Sequence, residues 1–362
     1  MSDQPYSQVY QSFSLGPMTL KNRVVMPPMA TNTADDDGFI TQRALDYYEV
    51  RARGGAGLII VEVSCIASPQ GKSAAGRFVI DNDKYIPGLK KLAEIIHQNG
   101  AKAAIQLQHS GKEANCQTSG EAPVAPSVVS ATHGGETREL TREGIQSLVQ
   151  AWAGSAMRAK EAGFDAVEVH GATNYLLAQF QSSLWNKRTD DYGGDIGNRG
   201  RFLVEVLQAI RLAVGPDFPF WPRINVQEFG KMGGLTADEG KELARMAEAA
   251  GSYAINVTGF GGGDYGRVPP MGVPLGNMFA MAEGIKKTVK VPVMVTGRVD
   301  PAQGDVAIRE GKTDLICVAR GLLADAELPR KYAEGRPEDV MPCIACGVCN
   351  DSIRTRSSVQ CM

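Results

Sequence analysis

Short apolar runs alternate with longer amphipathic segments along most of the chain. The apolar runs are rich in Val, Ile and Ala and are bounded by glycine and other turn residues. Runs of this kind are typical of strands that are buried on both faces of a parallel sheet. The predicted strands are residues 21–26, 57–63, 101–107, 164–169, 220–224, 253–257, 291–296 and 314–319.

The segments between these strands carry apolar residues at helical spacing, and most of them end at a glycine shortly before the next strand. The predicted helices are residues 41–56, 86–100, 141–163, 198–214, 236–250, 280–289 and 301–310. A regular alternation of eight strands with helices fits a closed (β/α)8 barrel, or TIM barrel, better than an open sheet. We therefore predict this α/β fold.

Such a barrel needs roughly 250 residues, so the remaining length is expected in loops and at the C-terminal end. The prediction divides the chain into a barrel of residues 1–335 and a cysteine-rich tail of residues 336–362. Residues 110–140 and 259–276 lack periodicity and are predicted as loops that shape the active face. A small hairpin is expected near residues 13–16.

Composition and charge narrow the classes of function. The chain is 43% hydrophobic and 22% charged, with a net charge of -2 at pH 7. Charges of both signs are interspersed, so nucleic acid is not an expected partner. The sequence has no apolar run of about 18 residues and no N-terminal pattern of a signal peptide. We expect a cytoplasmic protein that is not inserted in a membrane.

Polar residues directly follow the fourth predicted strand, in the segment His170-Gly-Ala-Thr-Asn-Tyr175. In a parallel barrel, the carboxyl ends of the strands converge on one face, where ligands bind. This position makes His170 and Tyr175 candidates for chemistry. The alternatives are a buried histidine bonded to a backbone carbonyl, and a tyrosine that only packs in the core.

Glycine and arginine pairs follow the last two predicted strands, at Gly297-Arg298 and at Arg320-Gly321. Loops after strands seven and eight commonly form phosphate sites in these barrels, although a single pair would equally fit a solvated arginine. Gln106 and Arg223, at the ends of two other strands, carry groups that suit the polar edge of a pyrimidine-like ring. Together the two glycine and arginine pairs favour a cofactor that bears a phosphate.

Four of the seven cysteines lie in the last twenty residues: Cys343, Cys346, Cys349 and Cys361. Four thiolates suit either a zinc ion or an iron–sulfur cluster. The compact run of three cysteines resembles ferredoxin spacing more than the paired units of zinc ribbons. We therefore expect a 4Fe-4S cluster in the tail.

Several longer motifs resemble the old yellow enzyme family of NADH:flavin oxidoreductases. They are Leu20-Lys-Asn-Arg-Val-Val-Met-Pro-Pro-Met-Ala30, Gln106-Leu-Gln-His-Ser-Gly111, the segment after His170, Asn186-Lys-Arg-Thr-Asp-Asp-Tyr-Gly-Gly194 and Ala319-Arg-Gly-Leu-Leu-Ala-Asp325. The resemblance implies an FMN-dependent barrel enzyme that reduces a carbon–carbon double bond conjugated to a carbonyl, in an enone, an enoate or an enoyl-CoA thioester.

The resemblance also implies roles for individual residues. Pro28, Met29, Ala30, Val63 and Ala319 would contact the flavin, Gln106 and Arg223 would bind its pyrimidine side, and Gly297, Arg298, Arg320 and Gly321 would bind its phosphate. Among the catalytic residues, His170 would contact flavin and donate to the substrate carbonyl oxygen, and Tyr175 would protonate the α-carbon. Thr173 stands where much of the family has a second donor, His or Asn, and Asn174 is the other candidate for that role. Asp264 or Tyr265 would assist proton transfer.

The cysteine tail resembles the branch of 2,4-dienoyl-CoA reductase and trimethylamine dehydrogenase, in which a 4Fe-4S cluster exchanges electrons with FMN. Those relatives continue into a second domain that binds flavin and nucleotide, whereas this sequence shows no GxGxxG fingerprint after a predicted strand. We therefore expect a separate electron-donor protein, with NAD(P)H as the direct or indirect source of electrons. A homo-oligomer is compatible with the sequence.

Two other functions fit parts of this pattern. An N-methyl amine dehydrogenase or demethylase would oxidise its substrate and pass the electrons to an outside acceptor. That branch, however, has a flavin-bonded cysteine where this chain has Ala30, and an aromatic residue about where this chain has Val63. A non-catalytic electron-transfer subunit would not require His170 and Tyr175. The ene reductase is therefore the favoured prediction.

Overall fold

Eight parallel strands form a ring in the computed structural model, which describes residues 6–115, 120–261, 269–355 and 357–362. The strands are β1 Val24–Met26, β2 Leu58–Cys65, β3 Lys102–Gln108, β4 Ala166–Gly171, β5 Phe220–Phe229, β6 Ile255–Gly261, β7 Val293–Gly297 and β8 Leu315–Val318. β1 pairs with both β8 and β2, so the ring is closed. The predicted (β/α)8 barrel is confirmed.

Helices surround the ring: α1 Gln42–Arg53, α2 Ile86–Gln98, α3 Arg142–Glu161, α4 Ile196–Val214, α5 Ala237–Ala249, α6 Phe279–Lys286, α7 Pro301–Arg309 and α8 Leu328–Ala333. The side chains of Thr41, Thr141 and Thr236 cap α1, α3 and α5 by accepting from a backbone N–H in the first turn. Because a cap is a local feature of the sequence, these three helix starts were predictable to the residue.

The apolar core has two parts. One lies between the strands and the helices, and the other fills the inside of the ring. The inner part includes Trp221 and Met294 and continues into the N-terminal hairpin, whose strands Phe13–Leu15 and Met18–Leu20 pair antiparallel. The hairpin therefore packs against the interior of the barrel, and the predicted turn is confirmed.

The segment of residues 110–140 contains more regular structure than its composition predicts. Two short strands, Val124–Ala125 and Arg138–Glu139, pair with each other. Arg188 donates to the carbonyl oxygens of Pro126 (3.1 Å) and Leu140 (2.7 Å). Bonds from a side chain to distant backbone leave no periodic pattern in the sequence, which is why this structure was missed.

The cysteine tail lies against the loop after β1. Asn32 donates its side-chain amide to the carbonyl oxygens of Ile353 and Ser357, each at 3.0 Å, and the Val359 N–H donates to the Thr31 carbonyl at 2.8 Å. The tail includes a short helix, Val348–Arg354. Its side chains therefore reach the carboxyl-end face of the barrel. The boundary at residue 336 stays a prediction.

Across the described ranges, none of the helices combines the length and the apolar character needed to cross a membrane.

Candidate active site

A cavity at the carboxyl ends of the strands brings the predicted residues together. All three predicted catalytic residues line it, as do most of the predicted flavin contacts: Pro28, Met29, Ala30, Val63, Gln106, His170, Arg223, Gly297, Ala319 and Arg320. The two exceptions, Arg298 and Gly321, line an adjoining cavity that shares Gly297, Ala319 and Arg320 with the first. Asp264 and Tyr265 lie outside the described residues. The individual roles of these residues stay predictions.

His170 and Tyr175 lie side by side in this cavity. Their ring centroids are 4.8 Å apart, at an interplanar angle of 71°. The His170 Nδ1 accepts from the backbone N–H of Ala172 at 3.3 Å, so the proton of the neutral imidazole is assigned to Nε2. The Nε2–H is then the ring group that can donate to a carbonyl oxygen.

Thr173 adopts the left-handed backbone conformation, with φ at 57°, which is unusual for a β-branched residue. The Asn225 side chain holds it by accepting from the Thr173 N–H (2.8 Å) and donating to the Thr173 carbonyl (2.9 Å). The Thr173 hydroxyl donates to the Ala172 carbonyl at 2.7 Å, and the Asn174 amide donates to Glu113 at 2.7 Å. Asn225, which the sequence reasoning missed, therefore fixes the backbone between His170 and Tyr175.

Gln106 is oriented by a buried carboxylate, Glu168, on the neighbouring strand. The Glu168 oxygens accept from Gln106 Nε2 at 2.7 Å, Trp221 Nε1 at 2.8 Å and Asn256 Nδ2 at 2.7 Å. Burial raises the pKa of Glu168, and the charge of Arg223 and these hydrogen bonds oppose the rise. Because the amide nitrogen of Gln106 faces Glu168, its oxygen is left as an acceptor for a ring N–H.

Glu168 and Asn256 were missed by the sequence reasoning. Each is a polar residue inside an otherwise apolar strand, and each is fully buried. A charged side chain is rarely fully buried unless it has hydrogen-bonding or charged partners. The run Val167-Glu168-Val169, with an acidic residue inside a buried strand, could therefore have indicated a buried polar network.

The phosphate end of the cavity is formed after β7 and β8. The Arg320 Nη2 donates to the Pro269 carbonyl at 3.0 Å, whereas its buried Nη1 has no acceptor within the part of the chain that the structure describes. A Cβ at Gly297 would approach the Asn277 Oδ1 to 3.0 Å, which indicates a close-packed turn. The guanidinium of Arg298 donates to the carbonyl oxygens of Met271 (2.7 Å) and Val273.

These residues fit FMN. The Gln106 oxygen suits the pyrimidine ring N–H. The buried Nη1 of Arg320, which has no acceptor among the described residues, suits a phosphate oxygen. Arg223, which lines the cavity near Thr258, suits negative charge on the ring. The fit rests on donors and acceptors that the fold places in a single cavity.

The four tail cysteines line a second cavity, and Cys349 lines both cavities. Burial raises the pKa of the Cys349 thiol, and the charge of Arg320 lowers it. Within the described ranges, no three His, Cys, Asp or Glu side chains are arranged to hold one metal ion. A zinc ion needs its sulfurs at about 2.3 Å, whereas a 4Fe-4S cluster is bound through separate irons. The predicted cluster stays a prediction.

The tail also contributes to the first cavity. Asn350, Ile353 and Val359 line it together with Tyr175. The sequence reasoning placed the tail outside the barrel and gave these residues no role. Their spacing carries no motif, and only the docking of the tail on Thr31 and Asn32 brings them to the site.

A second buried carboxylate, Glu62, connects this docking loop to the barrel. It accepts from the Thr31 N–H at 2.7 Å and from the Thr31 hydroxyl, and Arg77 lies 4.0 Å away. Burial raises the pKa of Glu62 to about 7, although Arg77 and the hydrogen bonds from Thr31 and Tyr48 lower it. Glu62 thus changes charge near neutral pH while it holds the loop that carries the tail.

This raised pKa predicts a pH-dependent stability. The folded protein binds the Glu62 proton more tightly than the unfolded chain, so the stabilisation is present below pH 4.5 and is lost as the pH rises through about 7. The unfolding free energy of Glu62→Gln minus that of wild type is expected to increase by about 2–3 kcal/mol as the pH rises from 4.5 to 8. Urea unfolding across this range measures the difference. The exposed control Glu94→Gln should track wild type, and a Glu62→Gln difference that is independent of pH would contradict the prediction.

Taken together, the closed barrel, the oriented amide and the arginine after β8 define a (β/α)8 protein whose cavity suits a flavin. The chain belongs to the NADH:flavin oxidoreductase / NADH oxidase family, whose profile matches residues 8–339. This is the old yellow enzyme family that the motifs predicted.

Three similar proteins illustrate the family. An NADH oxidase of Thermoanaerobacter brockii is 41% identical over 350 residues, covering 95% of this chain and 53% of that protein. A cinnamate reductase of Clostridium sporogenes is 36% identical, covering 100% of this chain and 58% of that protein. The structure of a 2-naphthoyl-CoA reductase in complex with 2-naphthoyl-CoA superposes with a TM-score of 0.93 at 31% identity, covering 98% of this chain and 56% of that one. The chain thus spans somewhat more than half the length of these proteins.

Proposed function

We propose that this chain is an FMN-dependent ene reductase that reduces the carbon–carbon double bond of an α,β-unsaturated carbonyl compound. The observation that carries the proposal is the pairing of His170 and Tyr175 in the same cavity as the Gln106 amide and the Arg320 guanidinium. The pair supplies two proton-bearing groups, an imidazole N–H and a phenol, beside a flavin site.

The two residues have complementary roles in this proposal. Bound FMN supplies the hydride that adds to the β-carbon of the substrate. The Nε2–H of His170 donates to the carbonyl oxygen, where negative charge develops, and the Tyr175 hydroxyl delivers the proton to the α-carbon. Asn225 holds the intervening backbone at Thr173, so the two donors keep their relative position.

The lining of the cavity supports an apolar acyl substrate. Val63 on β2, with Ile353 and Val359 from the tail, gives the cavity apolar walls. The names cinnamate reductase and 2-naphthoyl-CoA reductase, carried by two similar proteins, support an aromatic acyl group in the substrate. We propose an aromatic enoate or its CoA thioester as the substrate class.

We further propose that the tail cysteines bind a 4Fe-4S cluster that exchanges electrons with the flavin. Cys349 lines both cavities, which supports a short path between the two redox groups. The electrons would come from a redox centre beyond the described residues, in a separate electron-donor protein or in another part of a longer polypeptide. NAD(P)H is their proposed source, because the family is described as NADH:flavin oxidoreductases.

Removal of one tail cysteine tests the relay. In anaerobically purified Cys346→Ser, the iron content and the broad absorption under the flavin bands are expected to fall by at least half, because one ligand of the cluster is lost. The flavin should remain, and photoreduced flavin should still reduce cinnamate in a single turnover. The control Cys65→Ala alters a buried cysteine of the barrel core and should keep wild-type iron.

The same assay separates the competing functions. Full iron in Cys346→Ser would contradict the cluster assignment, whereas wild-type protein that reduces neither cinnamate nor cinnamaldehyde would contradict the ene reductase. Flavin reduction by an N-methyl amine would instead establish the dehydrogenase. The absence of an aromatic side chain at Val63 argues against that outcome.

A further inference from the structure

We infer that Arg320 couples the two redox sites: the guanidinium that receives the flavin phosphate also stabilises the reduced cluster, so FMN binding lowers the reduction potential of the cluster. The inference rests on the proposed flavin and cluster sites. It goes beyond them because it assigns a thermodynamic link between cofactor occupancy and cluster potential to one side chain.

Arg320 is placed where the cavities meet. It lines the flavin cavity, the cysteine cavity and the adjoining cavity at the phosphate end. Among the described residues, no other charged side chain lines all three. Cys349 stands beside it in the first two cavities, and Gly297 in the first and third. The arginine therefore separates the predicted phosphate position from the predicted cluster ligands.

The guanidinium of Arg320 has no acidic partner among the residues that the structure describes. Within the ranges that the structure covers, Arg320 forms no ion pair; its Nη2 donates to the Pro269 carbonyl, and its buried Nη1 has no acceptor. Arg320 is partly buried, so its charge is incompletely screened and stabilises anionic groups that lie on either side of it. A phosphate and a set of thiolates are the two anionic groups that the neighbouring cavities suit.

A shared cation makes the two sites interdependent. Reduction adds one negative charge to the cluster, and a nearby cation favours that charge. A bound phosphate dianion offsets the same cation, so reduction becomes less favourable when FMN is present. Linkage requires the reciprocal effect, in which the oxidised protein binds FMN more tightly than the reduced protein.

Two other arginines, Arg51 and Arg298, provide matched controls because neither of them lines both the flavin cavity and the cysteine cavity. Arg51 acts on the tail through Cys361 and is absent from the lining of the flavin cavity. Arg298 lines the phosphate end and is absent from the lining of the cysteine cavity. Loss of Arg51 should therefore lower the cluster potential without changing its response to FMN. Loss of Arg298, which shares the adjoining cavity with Cys343, should lower the potential of the FMN-free protein less than loss of Arg320 does.

The experiment is an anaerobic redox titration of the cluster, followed by electron paramagnetic resonance, on protein with and without FMN. In wild type, FMN is expected to lower the potential by about a tenfold change in the one-electron equilibrium, or about 59 mV. In Arg320→Leu, the potential of the FMN-free protein should already be lowered by a similar amount, and it should not respond to FMN at a concentration at which flavin fluorescence shows that the site is filled. Arg320→Lys should restore part of the response.

Arg320→Gln, which keeps hydrogen-bonding capacity without the charge, serves as the second neutral variant if Arg320→Leu folds poorly by circular dichroism. A response to FMN that persists in the neutral variants, or that is missing in wild type, would overturn the inference alone. Protein that contains flavin but no iron would overturn the proposed cluster, and the inference would fall with it.

Discussion

Tyr175→Phe is expected to slow the reduction of an enoate by about 10²- to 10⁴-fold, because the proton for the α-carbon would then have to come from solvent. The substitution removes one oxygen and keeps the ring that packs 4.8 Å from His170, so binding should change little. Reduction of the flavin should be unaffected. Stopped-flow measurement of flavin reoxidation by cinnamate separates the two half-reactions.

Tyr192→Phe is the matched control for this result. The Tyr192 hydroxyl donates to Glu205 at 2.9 Å, and Tyr192 is not among the residues that line the cavity. Its reoxidation rate should match wild type. If Tyr175→Phe reoxidised at the wild-type rate, the phenol would not be the proton donor, and the non-catalytic electron-transfer function would regain support.

Glu168→Leu is expected to lower the unfolding free energy by about 3–5 kcal/mol, because it leaves three buried N–H donors without their acceptor. Those donors are Gln106 Nε2, Trp221 Nε1 and Asn256 Nδ2, which lie on three different strands. Gln106 also loses the partner that orients its amide, so FMN should bind more weakly. Urea unfolding and flavin fluorescence measure the two effects.

Glu168→Gln distinguishes the hydrogen bonds from the space that the side chain fills. The amide oxygen can still accept from some of these donors, so the loss should be smaller than in Glu168→Leu. Equal stability of Glu168→Leu and wild type would show that the three donors find other partners, and that the carboxylate is not needed to orient Gln106.

The sequence by itself determined the barrel and the position of its active face. The strand runs differ from the helical segments in periodicity, and this difference follows from the local geometry of each element. The helix caps at Thr41, Thr141 and Thr236 are local as well. His170 and Tyr175 lie within a single contiguous motif directly after a strand, so parallel topology alone placed them on the ligand face.

Only the tertiary structure decided how these side chains are held and what completes the cavity. Glu168 orients Gln106 from 62 positions away in the sequence, and Asn225 forms hydrogen bonds with the Thr173 backbone from 52 positions away. Ile353 and Val359 reach the cavity because Asn32 and Thr31 bind the tail backbone. Such partners follow no short period, because the pairing of distant side chains depends on which strand ends the closed barrel makes neighbours.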